Sequence, residues 1–132
     1  GYRNSSIYGM LGYFKLLRND DLDETTKLCE EAYDYNSDDR DIKDNLSICY
    51  FRKGEYEKAE KISDELVGAA PNFVEGFYHG IQIAMKLNKY DKAAEYAEKL
   101  KECKRSGMTT VTEEEVNKLI QEVKNHNENT IG

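Results

Sequence analysis

Tryptophan is absent from this sequence, proline occurs once, and there is no long apolar run. No stretch is apolar enough over enough residues to span a bilayer as a helix. The charged, apolar and small-residue succession of a secretory signal is missing as well. The chain begins at Gly1 rather than Met, so it reads as a piece of a longer protein, and an anchor ahead of Gly1 stays open. Positive charge is in deficit: 19 Lys and Arg stand against 26 Asp and Glu, a net charge of −7. Such a surface repels phosphate backbones and anionic lipid, so neither nucleic acid nor membrane contact by this fragment is expected. Cysteine is scarce and odd in number, and Cys29, Cys49 and Cys103 are spaced too widely for a disulfide framework or a Cys-x-x-Cys motif. Each falls in an apolar helical stripe, where a free thiol behaves as a small buried hydrophobe. That favours a cytoplasmic setting.

In place of these features the sequence has a repeat. Gly54-Glu55-Tyr56-Glu57-Lys58-Ala59 returns as Asn88-Lys89-Tyr90-Asp91-Lys92-Ala93, and the tyrosines, the alanines and the later Leu66 and Leu100 are each 34 residues apart. A fixed period of this length belongs to stacked helical hairpins, each too small to bury its own apolar face. The composition, 39% hydrophobic and 34% charged, suits thin apolar stripes on solvated helices.

With few β-branched residues between turn signals, no strand is predicted. The first helix is expected to start after the cap-type residues Asn4-Ser5-Ser6 and to run to about Arg18, with a turn at Asn19-Asp20-Asp21. A second carries Leu22, Thr25, Leu28, Cys29 and Ala32 at helical spacing. A third runs from about Arg40 to Lys53, with Gly54 as a left-handed cap. A fourth starts near Glu55 and closes at Ala69-Ala70-Pro71-Asn72, since proline cannot continue the hydrogen-bond ladder. The fifth spans about Phe73 to Leu87 and turns at Asn88. The sixth carries Ala93, Tyr96, Ala97, Leu100 and Cys103 and ends near Gly107. In the seventh, Thr112 and Glu115 form a capping box, with Val111 and Val116 placed as a hydrophobic staple. Its tail, from Lys124 to Gly132, is expected to fray.

The repeat resembles the tetratricopeptide repeat, two antiparallel helices in 34 residues. The resemblance rests on a small residue within the first helix (Ser47, with Gly80 one place out of register) and on Gly54-Glu55-Tyr56 and Asn88-Lys89-Tyr90 between helices. Early alanines Ala59 and Ala93 and the boundary proline Pro71 complete it. Where the family usually has a further alanine, this chain has Leu66 and Leu100. The first repeat departs most: Asp20-Asp21-Leu22 and Thr25 replace the inter-helix motif and the early alanine, while Ala32 and Asn36-Ser37-Asp38-Asp39 match. The resemblance implies an all-α fold, a right-handed superhelical array of antiparallel hairpins with about seven helices. It implies one domain over residues 1–132, with repeats at about 6–39, 40–73 and 74–107 and a capping helix at about 112–126. It is specific for fold and nearly silent on function.

Little in the sequence carries chemistry. His126 falls in the polar tail. His79 has no carboxylate or cysteine at a metal-ligand spacing such as i+4, so no metal or cofactor is expected. No phosphate loop, nucleophile elbow or Ser/His/Asp set is present. Asp38-Asp39 and Glu113-Glu114-Glu115 read as helix-start charges rather than catalytic pairs. Asn4-Ser5-Ser6 and Asn45-Leu46-Ser47 match the glycosylation pattern by chance, without a secretory context.

One constellation suggests recognition. A second stripe on the first helix of each hairpin holds Asn45, Ile48 and Arg52, and then His79, Gln82 and Lys86 at the same spacing. Phe51, Tyr78 and Met85 lie beside them, and helix one adds Met10, Phe14 and Leu17. In the family such positions line a concave groove that holds a partner's peptide; the plain alternative is a solvated face. Polar anchors beside apolar ones are what a recognition surface needs. The expected ligand is a peptide with an apolar anchor and some acidic or amide character. Some family members hold the acidic C-terminus of heat-shock chaperones in a clamp of lysines, asparagines and an arginine. Here Asn45 matches one clamp position, but Met10 and Phe14 stand where Lys and Asn would be, and Glu75 and His79 replace the last cations. Without that ring a terminal carboxylate has little to pair with, so chaperone-tail binding is not expected. The function expected is a non-enzymatic interaction scaffold, as a monomer. The alternatives are a self-association module, or an accessory domain of a larger enzyme or membrane-anchored protein.

Overall fold

The computed structural model describes the backbone of residues 2–131 and the side chains of residues 9–128. Seven helices follow one another: α1 (Tyr2–Leu17), α2 (Leu22–Tyr35), α3 (Arg40–Arg52), α4 (Tyr56–Ala69), α5 (Val74–Lys86), α6 (Tyr90–Glu102) and α7 (Glu113–Ile131), with no strand among the described residues. Consecutive helices pack as hairpins α1/α2, α3/α4 and α5/α6. The first helices of the hairpins also meet side by side, α1 on α3 and α3 on α5, while α7 lies against α6 and α5.

The same turn closes each hairpin. Asn19, Gly54 and Asn88 adopt positive φ (56°, 80° and 59°), the left-handed conformation open to glycine and tolerated by asparagine. The next amide then reaches back five residues: Asp20 to Lys15, Glu55 to Tyr50 and Lys89 to Ala84, at 2.9–3.0 Å. These bonds satisfy carbonyls that the ended helix leaves orphaned. Side chains cap the starts of α2, α3 and α7, whereas α4, α5 and α6 start without a side-chain cap bond. Asp21 accepts from the Glu24 amide and Asp39 from the amides of Asp41 and Ile42. Thr112 and Glu115 form the reciprocal capping box expected of them.

Two apolar clusters hold the array. Leu16, Cys29, Leu46, Cys49 and Ile62 join α1 to α4. A larger cluster joins α5 and α6 to Val111, Leu119 and Val123 of the C-terminal segment. Helices approach closely at two glycines 68 residues apart, twice the repeat period. A Cβ at Gly80 would stand 3.1 Å from Ser63 Oγ and from the Tyr96 ring, and one at Gly12 3.1 Å from the Asn45 amide. Gly80, one place out of register in the sequence pattern, is thus the residue that lets α5 close on its neighbours. The nearby Ser63 hydroxyl is buried with no hydrogen-bond partner among the described residues.

Four details differ from the sequence reading. Helix α1 is already helical at Tyr2, ahead of Asn4-Ser5-Ser6. Helix α6 stops at Glu102 rather than near Gly107, because Cys103 turns extended (ψ 134°) and the following loop makes its own bonds, Arg105 to the Val111 carbonyl and the Ser106 amide to Thr109. Cys103 is therefore half-buried at a helix end, whereas Cys29 and Cys49 are buried. Those two thiols lie 3.7 Å apart, and the hydrogen bond between them, with burial, pushes the Cys29 thiol up. Finally, α7 continues to Ile131, and His126 stacks on Tyr90 at 3.7 Å rather than standing in a frayed tail.

Candidate functional site

The α1–α3–α5 side of the array holds a cavity of about 350 Å³. Helix α1 forms one wall, with Gly9, Met10 and Tyr13. The first turns of α3 and α5 form the floor, and the loop after α6 closes the far rim with Ser106, Met108, Thr109 and Thr110.

Local chemistry fixes each part. The Asn45 side chain is buried, and its Nδ2 donates to the Gly9 carbonyl at 2.8 Å, tying α3 to α1. With α1 drawn in at Gly12, its large side chains Met10, Phe14 and Leu17 are left 57%, 49% and 59% exposed. On the floor, Asp39 caps α3, and the Arg40 guanidinium lies 4.3 Å over the Phe73 ring. Glu75 is buried and accepts from the Thr110 amide and hydroxyl at 3.3 and 3.1 Å, which pins the rim loop to α5. Burial pushes the Asp41 carboxyl above its ordinary value; Arg40 opposes this, and Asp39, Asp44 and Glu75 add to it. Asp44 Oδ1 lies 2.8 Å from His79 Nδ1. Burial alone would lower the His79 pKa, but the Asp44 charge and hydrogen bond, with Glu75, raise it above the ordinary imidazole value.

The residues expected to form a recognition stripe fall into different environments. Asn45 lines the cavity but is engaged with Gly9. Asp44 and His79 form a polar pair, while Arg52 Nη1 donates to the Leu16 carbonyl at 3.0 Å. Ile48 packs against the first apolar cluster, and Tyr78 and Met85 against the second. The Phe51 ring tilts onto Tyr56 at 5.5 Å, across the hairpin turn. Gln82 is half-buried and Lys86 exposed.

Several cavity residues escaped the sequence reading. Asp44 is one: its partner His79 was singled out, but the two are 35 residues apart on different helices, and no local spacing links them. Met108 and Thr110 carried no repeat signal, since the rim loop lies outside the repeat, and Tyr13 and Asp41 were not singled out on their helices. Among the described residues no group of His, Cys, Asp and Glu is arranged to hold a metal ion.

Residues 16–76 match the family model described as tetratricopeptide repeat. No curated protein matches the sequence. Solved structures match over nearly all of the chain. The Sgt2 TPR domain from Aspergillus fumigatus superposes with a TM-score of 0.81 at 16% identity, covering 96% of this chain and 81% of that one. The first TPR domain of human RPAP3 gives 0.78 at 14% identity, covering 95% and 93%. The first TPR of Spaghetti (RPAP3), solved with the HSP90 peptide SRMEEVD, gives 0.79 at 13% identity, covering 96% and 94%. Identities this low bear on fold alone. With the repeat sequence matched across α2 to α4 and the same helical architecture continued on both sides of it, the chain is a tetratricopeptide-repeat-like α-solenoid.

Proposed function

We propose that the chain is a non-enzymatic protein-interaction scaffold, taking a peptide segment of a partner in a groove along the α1–α3–α5 face. The carrying observation is the cavity itself, with Met10 and Tyr13 exposed at its wall and Met108 at its rim. Large apolar side chains left exposed around a concave site mark a place where a partner is desolvated. The solved TPR domain with a bound HSP90 peptide supports a peptide as the kind of ligand. The carboxylates on the cavity floor support the expectation that an acidic chaperone tail is not that ligand. The groove as proposed continues from the cavity past Ile48, Arg52, His79 and Gln82 toward Lys86. The repeat spans 6–39, 40–73 and 74–107, with α7 as cap, belong to the same proposal. So does a reducing compartment such as the cytoplasm, where two buried thiols this close stay unpaired. No helix among the described residues is long and apolar enough to cross a membrane.

The test is an affinity pull-down from the source cell with two charge variants. Met10→Glu should abolish recovery of the partner with the helical spectrum intact, because Met10 is more than half exposed. Lys61→Glu, exposed on α4, should leave recovery unchanged. The reverse pattern would place the interaction on the outer helices.

Self-association through α1 is the second reading. Met10, Leu11, Tyr13, Phe14 and Leu17 are all exposed on this one helix. A mass that rises with concentration in sedimentation equilibrium, and returns to monomer in Met10→Glu, would favour it.

A further inference from the structure

We infer that the cavity between α1, α3, α5 and the rim loop receives a basic, amphipathic segment of a partner protein, with its apolar side chains on Met10, Tyr13 and Met108 and a lysine or arginine at Asp41, Asp44 and Glu75. The inference rests on the peptide-groove reading above and names the chemistry of the occupant.

Space sets the scale. A volume of about 350 Å³ holds one or two long side chains, not a folded surface. The rims favour an apolar neighbour, since Met10 is 57%, Tyr13 36% and Met108 84% exposed. Two methionines among these three give a surface that adapts to varied apolar partners.

Charge selects the rest. The lining carries four carboxylates, Asp39, Asp41, Asp44 and Glu75, and two cations, Arg40 and Lys104, a balance of −4 + 2 = −2. Arg40 is already drawn over Phe73, with its Nε 3.7 Å from Asp41 Oδ1. His79, behind Asp44, adds positive charge when protonated. Asp39, Asp44 and Glu75 also repel the Asp41 charge, a contribution smaller than that of burial, and an added cation relieves that repulsion. A lysine or arginine stem also suits the site, because its methylenes lie against apolar walls while its head reaches the carboxylates. The net charge of −7 steers a basic segment inward from solution. An acidic segment would meet repulsion at the floor. The donors expected to hold one are engaged elsewhere, Asn45 with the Gly9 carbonyl and Arg52 with the Leu16 carbonyl.

The experiment is an amide-resolved NMR titration of the ¹⁵N-labelled chain with two probe peptides of equal length and pattern, one of leucine and lysine, the other of leucine and glutamate. The leucine–lysine peptide should shift the amides of Met10, Tyr13, Asp41, Asn45 and Thr110, and the leucine–glutamate peptide should not. Asp41→Lys, at an exposed position, should weaken the leucine–lysine peptide roughly tenfold or more. Glu95→Lys makes the same change of net charge on exposed α6 surface and should leave affinity within about threefold. Equal weakening by both variants would show attraction to overall charge and overturn the inference. Equal or tighter binding of the leucine–glutamate peptide at the same amides would overturn the inference and leave the groove reading standing. Shifts confined to α2, α4 and α6, or none with either peptide, would overturn both.

Discussion

At the scale of single residues, the pair Asp44–His79 links two repeats through charge. Its side chains are 11% and 21% exposed, so solvent screens the contact only in part. The His79 pKa lies above its ordinary value. Folding therefore gains from a protonated imidazole fully below about pH 6.5, and that gain fades as pH rises through the raised folded value. Asp44→Asn keeps the shape and a hydrogen bond but removes the charge. It should lower stability by on the order of 1 kcal/mol below about pH 6.5 and flatten the decline above it. Urea midpoints for both proteins across this range check the sign, and parallel profiles would show that the pair adds no pH-dependent stability. The sequence pointed to His79 as a recognition residue by its spacing from Gln82 and Lys86. It could not show Asp44 because the two sit on different helices. Asn45 illustrates the same limit: a polar residue on a periodic stripe can turn to a neighbouring backbone, and only the approach of α1 at Gly12 decides that it does.

At the scale of elements, the helices and hairpin turns were legible because their signals are local. Gly54, Asn88 and Asn19 end helices through their own backbone preference, and Thr112 with Glu115 starts α7 through a bond pair within one turn. The end of α6 was not legible. Its residues through Lys104 stay helix-compatible, and the stop at Glu102 goes with contacts made by the loop, among them Arg105 with Val111, Ser106 with Thr109 and Glu75 with Thr110, the last pair 35 residues apart. That loop forms the cavity rim, so the least local part of the fold is also part of the site. Helix α7 covers the last hairpin with Leu119 and Val123, and Val116 and Ile120 pack beside them. Truncation before Thr112 should lower stability by about 3–6 kcal/mol, the value of burying two aliphatic side chains, and should expose Leu100 and Phe77. Denaturant unfolding with a hydrophobic dye measures both effects. A truncated chain of unchanged stability and without dye binding would show that α7 is not a cap.

At the scale of the whole molecule, the repeat period places α1, α3 and α5 side by side, and the cavity lies where the first turns of α3 and α5 meet α1 and the rim loop. The sequence carried the array. The cavity lies nearer the N-terminal ends of α3 and α5 than the expected stripe does, and Phe51 and Met85 of that stripe turn into local packing. The central proposal, that a partner segment lies on this face, is tested most directly by site-specific photo-cross-linking in the source cell. Benzoylphenylalanine would replace Tyr13 at the cavity wall and, separately, Lys61 on α4. The expected result is an adduct from the Tyr13 position alone, mapping to one short continuous segment of one partner. Adducts from the Lys61 position alone, or from the Tyr13 position only to a second copy of this chain, would contradict it.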